Sequence, residues 1–177
     1  MLASLPDTLT LDRMATPLGE ALILTDETGA LRAFDFADYE DRMRRLACRH
    51  YGTLAPVSGR APARVRNAME RYFAGEADAF SGLVWKTNGT AFQRSVWAGL
   101  CDIGHGQTLS YKGLAQKIGK PSAMRAVGLA NGANPVAIVV PCHRVIGADG
   151  RLTGYGGGLD RKAWLLRHEG AHFREAA

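Results

Sequence analysis

The stretch YKGLAQKIGKPSAMRAVGLANG, residues 111 to 132, decides the fold of the second half of the chain. Ser110 stands just ahead of it as a helix cap, and Gly119 supplies a stop. Ser122 is expected to start a second helix, which Gly132 and Asn134-Pro135 end. Two short helices joined by a tight turn resemble a helix-turn-helix, although many helical hairpins bind nothing. Lys112, Lys117, Lys120 and Arg125 surround the turn. Ala123, Ala126 and Ala130 make a small-residue stripe on the second helix. Such a stripe fits a helix into a narrow groove, although close helix packing is its commoner use.

Downstream, VAIVVPCHRVIG (136 to 147) reads as a buried strand, Val136 to Val140, that ends on a thiol, an imidazole and a guanidinium. Cys142 is thus a core residue, a metal ligand or a nucleophile. Structural zinc wants four Cys or His ligands, usually in paired short spacings. Cys142 and His143 are adjacent with no second pair nearby, and Cys48 with His50 is too few, so no metal site is expected. TGYGGGLDRK is no phosphate loop either. It lacks the Gly-Lys-Ser/Thr ending, and Leu159 occupies the last glycine position of a dinucleotide fingerprint. As a nucleophile, Cys142 would have His143 and Arg144 to favour its thiolate. Neighbours on a continuing strand point to opposite faces, so the pair needs a turn, which Pro141 allows, and even then a bridging water. A third group should orient the imidazole. His168 and Glu169 in WLLRHEG are the candidates, Glu169 being poorly placed for the helix dipole unless it has a partner. On residue chemistry alone, core and nucleophile both stay open.

Upstream, Thr90-Ala91-Phe92-Gln93 has the form of a capping box. Phe92, Val96, Leu100 and Ile103 follow at helical spacing, which predicts a helix over 91–103. Cys101 is read as packing within it. In the first third, EALILTDETGALRAFDF alternates on both sides of DETG and predicts a hairpin. DRMRRLACRHYG (41 to 52) is a polar helix with Cys48 half-buried in it. PARVRNAMERYFAGE (62 to 76) is a helix between Pro62 and Gly75. SGLVWKTNGT (81 to 90) is turn-rich and is expected to link two domains, residues 1–88 and 89–177. The fold class is α/β (α+β): an N-terminal sheet-plus-helix domain and a mostly helical C-terminal domain that contains the helix-turn-helix.

The 177 residues are 46% hydrophobic and 22% charged, ordinary for a globular protein. No apolar run approaches a membrane span. MLASLPDTLT lacks the pattern of a secretory leader. Three scattered cysteines predict a reducing, cytoplasmic setting rather than a disulfide framework. The formal net charge of +5 favours a polyanion partner but does not by itself establish one.

Asn134-Pro135, the apolar run, Pro141-Cys142-His143-Arg144-Val145, Thr153-Gly154-Tyr155-Gly156-Gly157-Gly158 and Trp164-Leu165-Leu166-Arg167-His168-Glu169-Gly170 occur in this order. Together they resemble the O6-alkylguanine-DNA alkyltransferase family, the methylated-DNA–protein-cysteine methyltransferases. The match is strong over about residues 90 to 170 and looser earlier, through ATPLGEALI and RYFAGE. The resemblance implies that Cys142 accepts the alkyl group, that His143 acts through water as its base, and that Glu169 orients His143. Asn134 would hold the turn that shapes the site. Tyr111 would press on the target phosphate and hydrogen-bond the flipped base. Arg125 would fill the gap in the base stack, on a helix (Ser122, Ala123, Arg125, Ala126) laid in the minor groove. Val145, Tyr155, Gly156 and Gly157 would shape the guanine pocket through backbone groups. Met124 and Gly156 depart from residues frequent in relatives. The ligand set of a structural zinc and a cysteine-rich sensor domain, which some relatives carry, are both missing from the sequence.

The resemblance thus implies a single-turnover DNA-repair transferase acting on O6-alkylguanine, with O4-alkylthymine as a second candidate lesion and no cofactor. Its partner would be double-stranded DNA, met by a monomer, with cooperative binding along DNA left open. A lesion sensor is the alternative, but alkyltransferase-like sensors carry tryptophan at the cysteine position. A cysteine hydrolase would need an oxyanion hole and a water route, and the sequence shows neither.

Overall fold

The computed structural model describes residues 5–52 and 55–174, so the first four residues of the stretch read as lacking a leader lie outside it. The chain divides after Gly89 into two compact units.

In the first unit, β1 (Leu9–Thr16), β2 (Gly19–Asp26) and β3 (Leu31–Phe36) form an antiparallel meander, with β4 (Val57–Ser58) parallel to β1, in the order β3-β2-β1-β4. The expected hairpin is β2–β3. Its DETG turn is built on Asp26, whose Oδ1 accepts from the backbone N–H groups of Thr28 and Ala30, both at 2.9 Å. The alternation within these strands does not mark one wet face, because Ala21–Asp26 and Leu31–Phe36 are buried throughout. The polar positions are buried in pairs instead: Arg32 Nε donates to Asp26 Oδ2 at 2.7 Å, and Arg42 pairs with Asp35.

Two helices follow, α1 (Glu40–Tyr51) and α2 (Ala63–Phe73). Met43 and Tyr51 of α1 close a core cluster with Leu9, Leu22, Leu24 and Ala33. Cys48 is exposed rather than half-buried, because it lies on the arginine-rich outer side of α1. The first part of the expected linker belongs to this sheet. Leu31 N–H donates to Val84 O at 2.9 Å, and Lys86 N–H to Leu31 O at 3.0 Å.

In the second unit, α3 (Ala91–Cys101) opens on the expected capping box: Gln93 N–H donates to Thr90 Oγ1, and Thr90 N–H to Gln93 Oε1. It ends two residues before the predicted stop, so Ile103 is buried from the turn that follows. Cys101 is exposed, which corrects its reading as a packing residue. Then come β5 (Leu109–Ser110), α4 (Tyr111–Lys117), α5 (Met124–Gly132), β6 (Val145–Ile146) and α6 (Leu159–His168). Ser110 caps α4 by accepting from Gly113 N–H at 3.0 Å. Ser122 caps nothing, since α5 begins at Met124 with Ala123 at the cap position. α3 packs on α4 and α5, and Trp97 Nε1 donates to Ala130 O at 2.9 Å. Gly99 permits the first of these contacts, because a Cβ there would sit 2.7 Å from Ile118.

Candidate active site

The run Val136–Val140 is buried, but it is a turn and not a strand. Asn134 makes it one. Its Oδ1 accepts from Val136 N–H at 3.0 Å, and its Nδ2 donates to Val140 O at 2.8 Å. Val140 N–H then donates to Val136 O at 3.0 Å. Ile138 takes φ +70°, a conformation that β-branched residues rarely adopt.

Cys142–Arg144 continue as one turn of 3₁₀ helix, so the turn that the pair needs is present. His143 is fully buried, and its Nε2 lies 2.9 Å from Glu169 Oε1. Arg144 reaches the same carboxylate with Nε to Oε2 at 2.8 Å and Nη2 to Oε1 at 3.0 Å, and its Nη1 donates to Ile103 O. The Arg144 charge is therefore committed to Glu169, which corrects its expected place beside the thiol. Of the two candidates to orient His143, Glu169 does so, while His168 stacks on Trp164 with centroids 4.7 Å apart. Glu169 caps the C-terminus of α6, where the dipole disfavours it, and two cationic or donor side chains compensate. The turn after α3 closes over it at Gly106, where φ is +73° and a Cβ would meet Glu169 O at 2.8 Å.

Burial by itself would raise the Glu169 carboxyl, but its hydrogen bonds to His143 and Arg144 outweigh that and hold it far below the usual carboxylate range. Burial pushes His143 below its ordinary value, against a smaller opposing pull from Glu169. We take the pair as neutral imidazole and ionised carboxylate, since Arg144 supplies the charge partner. A carboxylate only accepts, so Nε2 carries the proton and Nδ1 keeps its lone pair. Nδ1 has no hydrogen-bond partner among the described residues.

Cys142, 4% exposed, lines a cavity of about 350 Å³. Tyr111, Gly128, Asn131 and Gly132 line it from the helix pair, and Gly154, Tyr155 and Gly156 from the glycine loop. The parallel pairing of β5 with β6, Leu109 beside Val145 and Ser110 beside Ile146, sets Tyr111 across from the Cys142 turn. Thr153 Oγ1 donates to the Tyr111 hydroxyl at 3.1 Å. Of the four expected pocket residues, Tyr155 and Gly156 line the cavity, whereas Val145 and Gly157 do not.

Sequence reasoning missed Lys162 and Asn131. Lys162 is fully buried and donates from Nζ to Val145 O at 2.6 Å and Thr153 O at 2.9 Å. Burial pushes its ammonium down to about 8, against a weaker opposing pull from Cys142. A lysine at a core position of α6 was the available signal. Ahead of α5, Ser122 is exposed and Ala123 is half-buried; on α5, Arg125 and Ala126 are exposed and Ala130 is buried against Trp97. The small-residue stripe therefore splits between packing and an open face. Lys112, Lys117 and Lys120 are exposed around it.

Residues 91–171 match the family model described as "6-O-methylguanine DNA methyltransferase, DNA binding domain". The methylated-DNA–protein-cysteine methyltransferase of Salmonella typhimurium is 49% identical over 161 residues, which cover 90% of this chain and 94% of that protein. The chain belongs to the methylated-DNA–protein-cysteine methyltransferase family. This is the family expected from Pro-Cys-His-Arg-Val and the glycine loop, and its mixed α/β architecture is the expected fold class. The Shigella flexneri methyltransferase is 47% identical over the same share of each chain. Among solved structures, Mycobacterium tuberculosis OGT in complex with DNA superposes with a TM-score of 0.78 at 36% identity, covering 91% of this chain and 92% of that one. No helix among the described residues is long and apolar enough to cross a membrane.

Proposed function

We propose that this methyltransferase repairs DNA by moving the alkyl group of O6-alkylguanine irreversibly onto Cys142. The observation that carries the reading is the nucleophile on the cavity wall, one residue before a buried imidazole whose free lone pair and bound carboxylate suit a base. His143 takes the thiol proton through a water at Nδ1, and Glu169 steadies the imidazolium that results. The thiolate attacks the alkyl carbon, a carbon–sulfur bond forms, and the bond to guanine O6 breaks. Tyr111 hydrogen-bonds or protonates the departing base. A thioether has no good leaving group, so each molecule acts once.

A base in the duplex cannot reach this cavity, so the nucleotide must flip out. The open face of α5 enters the minor groove, where small side chains fit a space only about 6 Å wide. Arg125 fills the vacated step. Exposed lysines around the turn meet phosphates and give affinity with little sequence preference. Asn134 holds the turn that presents Cys142, and Tyr155 and Gly156 hold the guanine. O4-alkylthymine is a second candidate lesion. The protein acts as a cytoplasmic monomer.

The test is intact mass after incubation with duplex DNA containing O6-methylguanine. The expected result is a stoichiometric gain of one methylene, mapped to Cys142. Tight binding with no mass change, or repeated turnover, overturns the proposal.

A further inference from the structure

Asn131 lines the cavity beside Cys142 and is only 4% exposed. Its Nδ2 donates to the carbonyl of Cys142 itself at 3.4 Å. Its Oδ1 is buried and has no hydrogen-bond partner among the described residues. A buried carbonyl oxygen without a donor is unfavourable, and such groups in native structures need an explanation. The amide cannot relieve this by turning over, because that would set Oδ1 against the Cys142 carbonyl oxygen. α5 is also anchored there, through the bond from Trp97 Nε1 to Ala130 O. The acceptor is therefore fixed in place, on the wall that carries the nucleophile.

We propose that Asn131 is a specificity-determining residue whose Oδ1 accepts a hydrogen bond from a hydroxyl on the transferred alkyl group. The site then favours hydroxyalkyl lesions, such as O6-(2-hydroxyethyl)guanine, over apolar ones of equal size. The inference rests on the transfer reaction proposed above. There, Tyr155 and Gly156 hold the base and the reacting carbon lies between the base and Cys142. Whatever else that carbon bears projects toward the Cys142 wall, where the Asn131 amide is tied to the Cys142 carbonyl. A site built around a polar group discriminates sharply, because an apolar isostere leaves the buried acceptor unpaired. The glycines at 128 and 132 bring no competing donor side chain to this wall.

The experiment measures single-turnover transfer from duplex oligonucleotides carrying O6-(2-hydroxyethyl)guanine and O6-n-propylguanine, which differ by a hydroxyl for a methyl. In the wild-type protein the hydroxyethyl-to-propyl rate ratio should exceed the ratio for a free small thiolate by about fivefold, the worth of one net hydrogen bond. In Asn131→Leu, which keeps the volume and removes the acceptor, the ratio should fall to that of the free thiolate. The wild-type comparison stands even where the variant does not fold. A wild-type ratio equal to that of the free thiolate overturns the inference, as does an unchanged ratio in the variant. Loss of transfer from O6-methylguanine but not from O6-methylhypoxanthine, with the ratio unchanged, would assign Oδ1 to the guanine amino group and also overturn it. Wild-type methyl transfer in the same assay separates these outcomes from failure of the transfer reaction itself.

Discussion

Arg144 grips both carboxylate oxygens of Glu169, at 2.8 and 3.0 Å, while Glu169 Oε1 also holds His143 Nε2 at 2.9 Å. One carboxylate thus ties the end of α6 to the turn that bears Cys142. The same contacts that orient the proposed base also neutralise a buried guanidinium.

Glu169→Gln should therefore be costly in two ways. The amide oxygen can still accept from His143, but Arg144, 9% exposed, loses its counter-charge. Breaking a buried pair in this way costs about 3–5 kcal/mol. Transfer to Cys142 should slow about a hundredfold, the low end of what a general base contributes. Urea denaturation and single-turnover transfer measure the two effects. A variant as stable as the wild type would show that the pair is not the anchor described.

The titrations of His143 and Glu169 act on stability in the same direction. Both have folded values below their ordinary ones, 6.5 and 4.5. As pH falls through about 6.5, the unfolded chain binds a proton on His143 before the folded one does, so stability drops. A second loss begins below about 4.5, when the unfolded Glu169 protonates first. Each contributes a slope of at most about 1.4 kcal/mol per pH unit. Denaturation between about pH 3 and 8 should show both stages. His143→Gln should make the upper one shallower, the remainder coming from His50, which burial also pushes below its ordinary value. Equal stability at pH 7 and pH 5 would contradict a buried neutral imidazole.

Arg125 is exposed on the open side of α5, next to Ala126. Arg125→Ala should slow repair of O6-methylguanine in duplex DNA by about tenfold, since the flipped state loses the side chain that fills the stack. Reaction with the free base O6-benzylguanine should change less than about twofold, because no duplex is opened. Equal losses on the two substrates would remove Arg125 from the flipping step.

Much of this was legible in the sequence because local chemistry decides it. The capping box at Thr90, the Ser110 cap and the Asp26 turn are side-chain-to-backbone contacts within a few residues, and the Gly119 stop is a local backbone conformation with φ +69°. What could not be read depends on distant partners. Val136–Val140 has an apolar pattern common to strands and buried turns, and only the two bonds of Asn134 separate them. β5 and β6 have two residues each, too few for a period. Asn131 has no local pattern that distinguishes a cavity wall from a solvated helix face, and Lys162 shows only as a lysine at a core position of α6. The sequence sets Arg144 two residues from the thiol, but a carboxylate 25 residues away takes its charge.

Lys162 offers the sharpest test of how the glycine loop is held. Its Nζ bridges Val145 O and Thr153 O, and Thr153 in turn bonds Tyr111. A folded value of about 8 against an ordinary 10.5 means that the unfolded chain keeps this proton across that window while the folded one gives it up. Stability from this group should therefore rise with pH from about 8 to 10.5, by about 3 kcal/mol in total at 1.36 kcal/mol per unit. The neutral amine still has two hydrogens for its two carbonyls, so the bridge survives its loss of charge. In Lys162→Met the buried charge is gone, but both carbonyls lose their donor, at about 1–3 kcal/mol each. Near pH 7 the two effects offset one another. By pH 10 the wild type should be the more stable by about 3 kcal/mol, and the variant's own stability should lack this rise. Transfer should slow in the variant at every pH, since the loop and Tyr111 lose their common tether. A stability difference between the two proteins that does not change from pH 7.5 to pH 10 would contradict the assignment.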